Sequence, residues 1–394
     1  MPQKHTLPVW AEIDLSAIAH NCREVRRKIP KETSFMAVVK ADGYGHGAVP
    51  VARTALANGA DSLAVARLEE ALSLRRAGLK APILVFGALD PSDIDLLLRE
   101  EITCSIFDPQ QAKDFSEQAS KRSARLTCHL KIDTGMGRLG LNAVPEPGSD
   151  APFNPLALEQ AENAARLPGL DLQGVYTHFA QADAADKSYS FLQLQRFLSL
   201  LNALESRNIR FPIRHAANSA AVLDLPKAHL DLVRPGLMLY GLYPSTDVDQ
   251  ETVKLRPAIA LKARIAQIKR VASGFKISYG STFTTEQATS IAAVSLGYAD
   301  GYFRMLSSRG CMLVNGQRAP IAGRVCMDQT MLDIGHIPNV SPGDEVVAFG
   351  VQHGRQLPVE ELADLCSTIS YEIVSAITSR VARIHFEELS ATNE

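Results

Sequence analysis

The chain has 394 residues, about twice the ~100–200 residues of an ordinary domain, so the sequence predicts one large domain and a smaller one. With 46% apolar and 21% charged residues, it can bury a sizeable core, which excludes a disordered or collagen-like protein. The formal net charge of −2 and the absence of an apolar run near ~20 residues predict neither a nucleic-acid-binding nor a membrane protein.

The cysteines and the N-terminus indicate the compartment. The six cysteines contain no CxxC pair and no histidine partner at zinc-finger spacing, so neither a disulfide framework nor a metal site is predicted. The first twenty residues place acidic side chains inside a short apolar stretch and contain no signal-peptide core. We therefore expect a soluble enzyme of the reducing cytoplasm, with no metal ion.

Eight short β-rich runs alternate with helical patterns through the first two thirds of the chain. The predicted strands are residues 35–40, 62–66, 83–86, 103–107, 126–132, 172–179, 214–218 and 232–240. Helix-period segments lie between them, at 67–78, 91–100, 108–119 and 187–208. Eight strand–helix units in ~230 residues predict an α/β fold with a (β/α)8 TIM-type barrel, with a doubly wound open sheet as the alternative.

After about residue 245 the pattern becomes mainly β. Residues 259–271 alternate apolar and polar positions, as a half-buried antiparallel strand does, and Asn315-Gly316 separates two β-like runs as a hairpin turn. Further strands are predicted at 325–335 and 344–350, and short helices at 358–366 and 371–383. The sequence thus predicts a barrel domain over 12–245 and a C-terminal mainly-β domain over 246–394, to which residues 1–11 also belong.

Residues with useful chemistry follow the predicted barrel strands, where barrel enzymes build their sites. They include Lys40, Lys131, Arg138, His178, His215, Ser219 and Arg234. Lys40 closes a β-branched run. A partly desolvated lysine near cations has a lowered pKa and can form a Schiff base with a carbonyl cofactor, although a lysine at a strand end can also simply extend into solvent.

Several glycines in the same region suit an anion. Gly43, Gly45 and Gly47 allow backbone N–H groups to turn toward one, and Tyr44 can donate to it. Ser219 and Gly236 follow the seventh and eighth strands, where barrels commonly hold a phosphate. Together with Lys40, these residues indicate a phosphorylated aldehyde, pyridoxal phosphate.

Residues 135–140 formally match the dinucleotide pattern GxGxxG. A dinucleotide site needs a helix to begin there and an acidic residue ~20 positions on, after a second strand. The chain instead enters a Pro-rich loop at 144–155. We therefore favour Arg138 as a carboxylate contact, since its planar fork suits bidentate pairing, over a nucleotide site.

Eight blocks in this order resemble the alanine racemases, pyridoxal-phosphate enzymes with a barrel followed by a β domain. The resemblance covers nearly the whole chain. The blocks are AVVKADGYGHG (37–47), KIDTGMGRLG (131–140), YTHFA (176–180), HAANSAA (215–221), RPGLMLYG (234–241), ISYGSTF (277–283), GYADGY (297–302) and GRVCMDQ (323–329). The departures are Asp42-Gly43, where the family more often shows Asn-Ala, and the loop at 144–155.

The resemblance implies a two-base interconversion of L- and D-alanine on pyridoxal 5′-phosphate, with the D-alanine supplying peptidoglycan. Lys40 would hold the cofactor and serve D-alanine, and Tyr279, offered by the partner subunit of a homodimer, would serve L-alanine. Physical reasoning agrees, because the proton leaves one face of the α-carbon and returns to the other. Because a free tyrosine has a pKa of about 10, such a base needs neighbours that lower it, and His178 and Arg234 are the candidates.

The resemblance also implies the other roles. The cofactor-binding set would be Lys40, Tyr44, His178, Ser219, Arg234, Gly236, Leu237 and Tyr371. Arg234 would face the pyridine nitrogen and leave it unprotonated, since a guanidinium does not readily give up a proton. Arg138 and the backbone of Met327 would bind the substrate carboxylate, and Tyr298 would narrow the access to favour a methyl side chain.

Three further residues are interpreted in the same way. Lys131 matches a position that is often carbamylated in the family, where the carbamate orients the neighbouring arginine. Asp133 and Asp328 are interpreted as supporting hydrogen-bond partners rather than catalysts.

Two alternatives stay open from the sequence: an amino-acid racemase of broader specificity on the same fold, and a non-catalytic pyridoxal-phosphate carrier. Tyr298 and the CMDQ block (326–329) favour alanine, and the β domain bearing Tyr279 argues against the carrier. The expected partners are alanine and a second copy of the chain, with no nucleic acid and no membrane.

Overall fold

The computed structural model describes residues 7–387, which divide into two compact units. The first, the barrel unit, consists of residues 17–43 and 48–256. The second, the β unit, contains the described residues up to Ser16, the segment Tyr44–Gly47, and those from Pro257 on. The main division falls after Arg256, whereas the sequence places it after residue 245. Along residues 7–387, no helix combines the length and apolar character needed to cross a bilayer.

The elements up to residue 256 alternate strands with helices. The strands are β1 (Val9–Asp14), β2 (Ser34–Val38), β3 (Ser62–Val65), β4 (Ile83–Val85), β5 (Ile102–Ile106), β6 (Leu126–Asp133), β7 (Leu141–Asn142), β8 (Leu170–Tyr176), β9 (Ile213–His215) and β10 (Leu232–Val233). The helices are Leu15–Lys28, Ala48–Ala57, Leu68–Arg76, Ile94–Arg99, Pro109–Lys121, Pro155–Ala165, Ser188–Glu205 and Ser219–Asp224.

Eight strands of the barrel unit form a closed parallel barrel. The order is β2-β3-β4-β5-β6-β8-β9-β10, and β10 pairs with β2 to close it. All eight predicted strands are present, including the one predicted at 214–218, so the predicted barrel is confirmed and the open sheet is wrong. The register sets Tyr176 beside Lys131 on one side and beside His215 on the other, which brings polar side chains together at one level.

Local sequence explains the barrel elements. Strand β3 is buried at all four positions, and a parallel strand covered on both faces is expected to read as a continuous apolar run. The helix Pro109–Lys121 begins where predicted because Asp108 accepts hydrogen bonds from the amides of Gln110 and Gln111, with Pro109 in the first turn. The Asp108 cap thus fixes where the loop after β5 ends and its helix begins.

Besides β1, the β unit contains the remaining strands of residues 7–387. They are β11 (Ile259–Val271), β12 (Lys276–Ile277), β13 (Phe283–Thr284), β14 (Thr289–Val294), β15 (Cys311–Val314), β16 (Gln317–Pro320), β17 (Thr330–Asp333), β18 (Glu345–Gln352), β19 (Arg355–Leu357) and β20 (Ala382–Phe386), with helices Val359–Leu365 and Ser370–Ser375. The main sheet has the order β16-β15-β18-β11-β1-β20. The predicted hairpin is confirmed, with φ of 48° at Asn315 and 72° at Gly316 between β15 and β16.

Several predicted boundaries were wrong, including the ends of the strands predicted at 172–179 and 214–218, which lie at Tyr176 and His215. The strand predicted at 232–240 ends at Val233, and Leu237–Tyr240 forms a 3₁₀ turn. The strand predicted at 325–335 covers only Thr330–Asp333. The helix predicted at 371–383 ends at Ser375, and the chain then forms β20, which pairs in parallel with β1. Sheet pairing by a distant segment overrides local helical preference here.

Candidate active site

Lys40 begins a left-handed turn that follows β2. Ala41, Asp42 and Gly43 have φ of 52°, 52° and 61°, a region that costs a non-glycine residue about 1–2 kcal/mol. Asp42 Oδ1 accepts a hydrogen bond from the Ala48 amide (2.8 Å) and so caps the next helix. Asp and Gly tolerate this backbone well, so the departure from the family pattern fits the turn. Strain of this kind concentrates at functional sites.

A carboxylate and a cation both act on the Lys40 amine. Burial lowers its pKa first, the Arg138 guanidinium lowers it further, and Glu70 opposes the change. Glu70 is itself held by the amides of Ala41 (2.6 Å), Ala66 (2.8 Å) and Arg67 (3.0 Å). A lysine with a lowered pKa has a larger neutral, nucleophilic fraction at neutral pH.

Arg234 ends a buried chain of two histidines. Its Nη1 donates to His215 Nδ1 (2.9 Å), and His215 Nε2 lies 2.8 Å from His129 Nδ1. Because a guanidinium only donates hydrogen bonds, His215 Nδ1 must be the acceptor, and the His215 proton lies on Nε2. The His215 Nε2–H therefore donates a hydrogen bond to His129 Nδ1. Burial and the Arg234 charge lower the pKa of His129 to about 4 and that of His215 well below the ordinary value. Both rings are therefore neutral acceptors that orient Arg234.

The second nitrogen of Arg234 binds backbone oxygens. Nη2 donates to the carbonyls of Thr177 (2.8 Å) and Ala216 (3.1 Å) and lies 3.4 Å from His178 Nδ1. Burial lowers the pKa of Arg234 to about 10, which leaves it cationic at neutral pH. His178 is half-buried, and burial followed by the nearby cations lowers its pKa well below the ordinary value. His178 is thus neutral beside a fixed positive charge.

Lys131 lies within β6 and is 5% exposed. Its Nζ lies 5.3 Å from the centre of the Tyr176 ring, and the Arg234 guanidinium lies 5.2 Å from the same centre. Tyr176 stacks on His215 at 4.7 Å and its hydroxyl lies 2.7 Å from Ser105 Oγ. Burial, then Arg138 and Arg234, lower the pKa of Lys131 to about 8. About a tenth of this buried amine is therefore neutral at pH 7, far more than for an ordinary lysine.

The GxGxxG-like segment is a loop organised by Asp133. Its Oδ1 accepts from the amides of Gly135 (2.9 Å) and Met136 (2.8 Å), and Oδ2 accepts from Gly137 (3.0 Å). No helix begins in this loop, so the dinucleotide alternative is excluded. The turn leads directly to Arg138.

The helix Ser188–Glu205 holds this loop and the His178 loop together. Gln193 is fully buried, accepts from the Ala180 amide (2.9 Å) and donates to the His178 carbonyl (3.1 Å). Tyr189 donates to the Gly135 carbonyl (2.8 Å), and Arg196 donates to the Thr134 carbonyl (3.0 Å). One helix therefore fixes the backbone of both segments.

Ser219 and Gly236 meet at the start of two short helical turns. Ser219 Oγ accepts from the amides of Gly236 (2.9 Å) and Met238 (3.3 Å), and Leu237 begins the 3₁₀ turn between them. Asn218 caps the helix Ser219–Asp224 by accepting from the Ala221 amide. Backbone donors at such turns suit an anion.

The β unit gathers three other predicted residues. Tyr279 and Met327 line one surface cavity with Ser278, Cys326, Asp328 and Gln329. Tyr298 lies beside them, since its amide donates to the Cys326 carbonyl (3.0 Å). The backbone around Tyr279 is strained, with φ of 64° at Ser278, and the Tyr279 side chain is 70% exposed.

Tyr44 and Tyr371 also belong to the β unit, and the Tyr371 phenol acts on that of Tyr44. Burial raises the pKa of the Tyr44 phenol above its usual range, and the Tyr371 phenol raises it further. The Tyr44 phenol therefore stays protonated at neutral pH and can donate a hydrogen bond to an anion.

The barrel-unit residues fit pyridoxal phosphate. Arg138 lowers the pKa of both Lys40 and Lys131, and Arg234 and Lys40 lower that of Lys131 further, so cations cluster in this region. Within residues 7–387, every polar partner of buried Arg234 is a neutral histidine or a carbonyl, and none is a carboxylate. An anionic aromatic aldehyde suits these cations, the reactive amine and the Ser219 turn.

Comparison with known proteins agrees with this chemistry. Residues 13–244 match the family model "Alanine racemase, N-terminal domain", and residues 258–385 match "Alanine racemase, C-terminal domain". The chain belongs to the alanine racemase family. The predicted family, fold, racemase activity and pyridoxal-phosphate cofactor are thereby confirmed.

Individual members of the alanine racemase family resemble the chain over almost its whole length. The alanine racemase of Desulforamulus reducens is 52% identical over 96% of this chain and 99% of its own, and that of Desulfosudis oleivorans is 49% identical over 95% and 96%. The solved alanine racemase of Clostridium difficile has a TM-score of 0.91 at 36% identity, covering 97% of each chain. The Bacillus anthracis enzyme with bound L-Ala-P has a TM-score of 0.87 at 39% identity, over 97% and 95%.

Sequence reasoning did not select His129 or Gln193 for the site. A signal existed for His129, because it lies two residues before Lys131 on β6, and alternate residues of a strand share a face. Gln193 has no such signal, since a polar residue in a long helix resembles any solvent-facing position until its burial is known.

Proposed function

We propose that this alanine racemase uses Lys40 and Tyr279 as the two acid–base groups, on opposite faces of the substrate α-carbon. Pyridoxal 5′-phosphate, when bound, withdraws electrons from the α-carbon and so acidifies its proton. Inversion then needs one group that removes a proton and another that returns one. Lys40 acts on D-alanine and Tyr279 on L-alanine.

Lys40 also holds the cofactor. The lowered pKa of its amine supports this role, because attachment to a carbonyl needs the neutral amine. Tyr44, Ser219, Gly236, Leu237 and Tyr371 bind the cofactor phosphate. Their phenol, hydroxyl and backbone donors match its acceptor oxygens.

Arg234 donates to the pyridine nitrogen and leaves it without a proton. Its orientation by His215 and its pKa of about 10 support this role, since both keep a cationic donor in place. By withholding a proton from that nitrogen, Arg234 would weaken the electron withdrawal of the bound cofactor and so limit side reactions such as transamination. His178 belongs to the same set, as the link between Arg234 and the Tyr279 phenol.

Arg138, the Met327 amide and Tyr298 recognise the substrate. Arg138 and the Met327 N–H bind the carboxylate of alanine, and Tyr298 restricts the space beside its methyl group. The grouping of Met327 and Tyr298 on adjoining backbone supports their acting on one small molecule. Asp133 supports this arrangement by shaping the loop before Arg138, and Asp328 by its ion pair with Arg380.

Lys131 is carbamylated in the proposed site. A carbamate forms when a neutral amine attacks carbon dioxide, creating a C–N bond and releasing one proton. The pKa of about 8 supports this step, because the buried amine is partly neutral at neutral pH. The resulting anion would lie among Arg138, Arg234 and Lys40 and balance their charge.

Each site takes Tyr279 from a second copy of the chain, so the working enzyme is a homodimer. The exposed Tyr279 side chain supports this, since a phenol available at the surface can serve a neighbouring molecule. The enzyme works in the cytoplasm, and its D-alanine is used to build peptidoglycan.

One observation carries this proposal: burial and the Arg138 guanidinium lower the pKa of the Lys40 amine, which belongs to a cluster of cations. The test is to incubate the purified protein with L-alanine and with D-alanine, with and without added cofactor, and to resolve the enantiomers. Equal mixtures from both directions would support it, and unchanged enantiomers in the loaded protein would refute it. Parallel assays with serine and lysine distinguish a broader racemase.

A further inference from the structure

Two loops of the β unit, residues 297–302 and 326–329, are joined through their backbones. The Tyr298 amide donates to the Cys326 carbonyl (3.0 Å), and the Ala299 amide donates to the Met327 carbonyl (3.0 Å). Gly297 permits this approach, because a Cβ there would lie 2.2 Å from the Met327 oxygen. The segment that carries the Tyr298 side chain is thus hydrogen-bonded to the segment that carries the Met327 amide.

Arg380 bridges the same two loops with its side chain. Nη2 donates to Asp328 Oδ1 (2.7 Å), and Nε lies 3.4 Å from Asp300 Oδ1. The Asp300 side chain is buried, and its other oxygen accepts from the Gly297 amide (3.0 Å). One guanidinium therefore connects the first loop to the residue that follows Met327.

The backbone near Arg380 is anchored independently of its guanidinium. The Thr378 amide donates to the Asp300 carbonyl (3.1 Å), and the Thr378 hydroxyl donates to the Ala299 carbonyl (2.9 Å). A substitution at Arg380 does not touch these contacts and removes its ion pairs with Asp300 and Asp328. Without the cation, the carboxylates of Asp300 and Asp328 would lack the charge that both of them face.

We propose that Arg380 is a positioning residue that sets substrate affinity and selectivity by fixing the Tyr298 loop against the Met327 loop. The inference rests on the proposed function, in which the Met327 amide binds the carboxylate of alanine and Tyr298 limits its side chain. These two groups act on opposite ends of the same small molecule, so their separation determines which side chain fits. Nothing in this role requires Arg380 to touch substrate.

The test compares the Arg380→Gln holoenzyme with the unsubstituted holoenzyme. Losing a charge-assisted bridge predicts a rise in KM for both alanine enantiomers of about 10-fold, with kcat changed by less than about threefold. The preference for alanine over serine in kcat/KM falls. Affinity for propionate, which has the alanine skeleton without its amine, falls by about 10-fold when measured by calorimetry.

Arg318→Gln is the matched control. Arg318 binds Glu361 in the same unit, and its side chain is 49% exposed, almost the same as the 50% of Arg380. Both variants therefore remove a similar arginine–carboxylate pair. The control should keep its KM, its preference for alanine and its propionate affinity. The KM and propionate affinity of Arg380→Lys should lie between those of Arg380→Gln and those of the unsubstituted enzyme. A single ammonium keeps the charge but cannot span both carboxylates as a guanidinium does.

Unchanged KM, selectivity and propionate affinity in Arg380→Gln would overturn the proposal, and so would equal changes in Arg318→Gln. A fall in kcat with unchanged KM would also overturn it. Failure of the unsubstituted protein to racemise alanine would refute the proposed function instead. Propionate binding still tests Arg380 in that case, because it needs no turnover.

Discussion

Gly174 on β8 lies directly against the imidazole of His129 on β6, and a Cβ at Gly174 would stand 2.6 Å from His129 Nδ1. This nitrogen is the atom that accepts the hydrogen bond from His215. The absence of a side chain at Gly174 is therefore what allows the His129–His215–Arg234 chain to form across neighbouring strands.

The variant Gly174→Ala should consequently destabilise the protein and disturb Arg234. Overpacking of a buried site costs about 1–3 kcal/mol, measurable as a lower melting temperature of the holoenzyme. Gly174→Ala combined with His129→Ala provides the control, because removing the ring restores the space. If the two changes simply add, with no recovery in the double variant, the contact does not limit packing.

The buried neutral state of His129 predicts a loss of stability in acid. Its pKa is about 4 in the folded protein and about 6.5 in an unfolded chain, so below pH 6.5 the unfolded chain binds the additional proton. Stability therefore falls as pH decreases from 6.5 toward 4, by up to about 3 kcal/mol from this residue.

Thermal unfolding of the unsubstituted protein and of His129→Gln across this range measures the effect. The variant should lose less stability on acidification than the unsubstituted protein, because it has one fewer buried group to protonate. Parallel pH profiles for the two proteins would contradict the neutral assignment of His129.

The variant Tyr279→Phe should affect the α-hydrogen exchange of the two alanine enantiomers unequally. Phenylalanine keeps the ring but has no hydroxyl to exchange a proton, so removal of the α-proton of L-alanine loses its base. Exchange of the α-hydrogen with deuterated solvent, followed separately for each enantiomer, should slow far more for L-alanine. Tyr243→Phe is the control, since it removes a phenol that donates a hydrogen bond to the Val253 carbonyl. It should not slow the exchange of one enantiomer more than that of the other. Equal losses for both enantiomers in Tyr279→Phe would argue against the two-base assignment.

Carbamylation of Lys131 should depend on pH and on carbon dioxide. With a pKa of about 8, the amine gains neutral fraction as pH rises, so the carbamate accumulates at mildly alkaline pH and decomposes in acid. Carbon-13 NMR of protein equilibrated with labelled bicarbonate should show one slowly exchanging carbamate signal that Lys131→Ala lacks. Lys254→Ala, at an exposed lysine paired with Glu251, should retain it. A signal that persists in Lys131→Ala would place the modification elsewhere.

The sequence predicted the barrel and the hairpin because their signals are local. Parallel strands buried on both faces are apolar throughout, and Asn315-Gly316 requires positive φ at two successive residues. The same local signals failed at β20, where residues with a helical pattern instead pair with β1, some 370 residues earlier in the chain. Long-range pairing of this kind has no trace in a short window of sequence.

In the candidate site, too, residues with a local sequence signal were predicted and those that depend on distant segments were not. Lys40, Lys131 and Arg234 were selected because a charged residue at the end of a buried strand is conspicuous. The position of Arg380 was missed, since an exposed arginine becomes informative only when Asp300 and Asp328 are known to flank it. The role of Gly174 was missed as well, because the ring it accommodates comes from another strand.

Complementation between two defective chains tests the central claim most directly. Lys40→Ala lacks one base and Tyr279→Phe lacks the other, so each homodimer should be poorly active. If each site combines Lys40 of one chain with Tyr279 of the other, a mixed dimer contains one doubly defective site and one intact site. Unfolding and refolding an equal mixture with cofactor should then restore activity to roughly a quarter of that of the unsubstituted enzyme. Mixed dimers that form, as shown by differently tagged chains, yet stay as inactive as their parents would contradict the account.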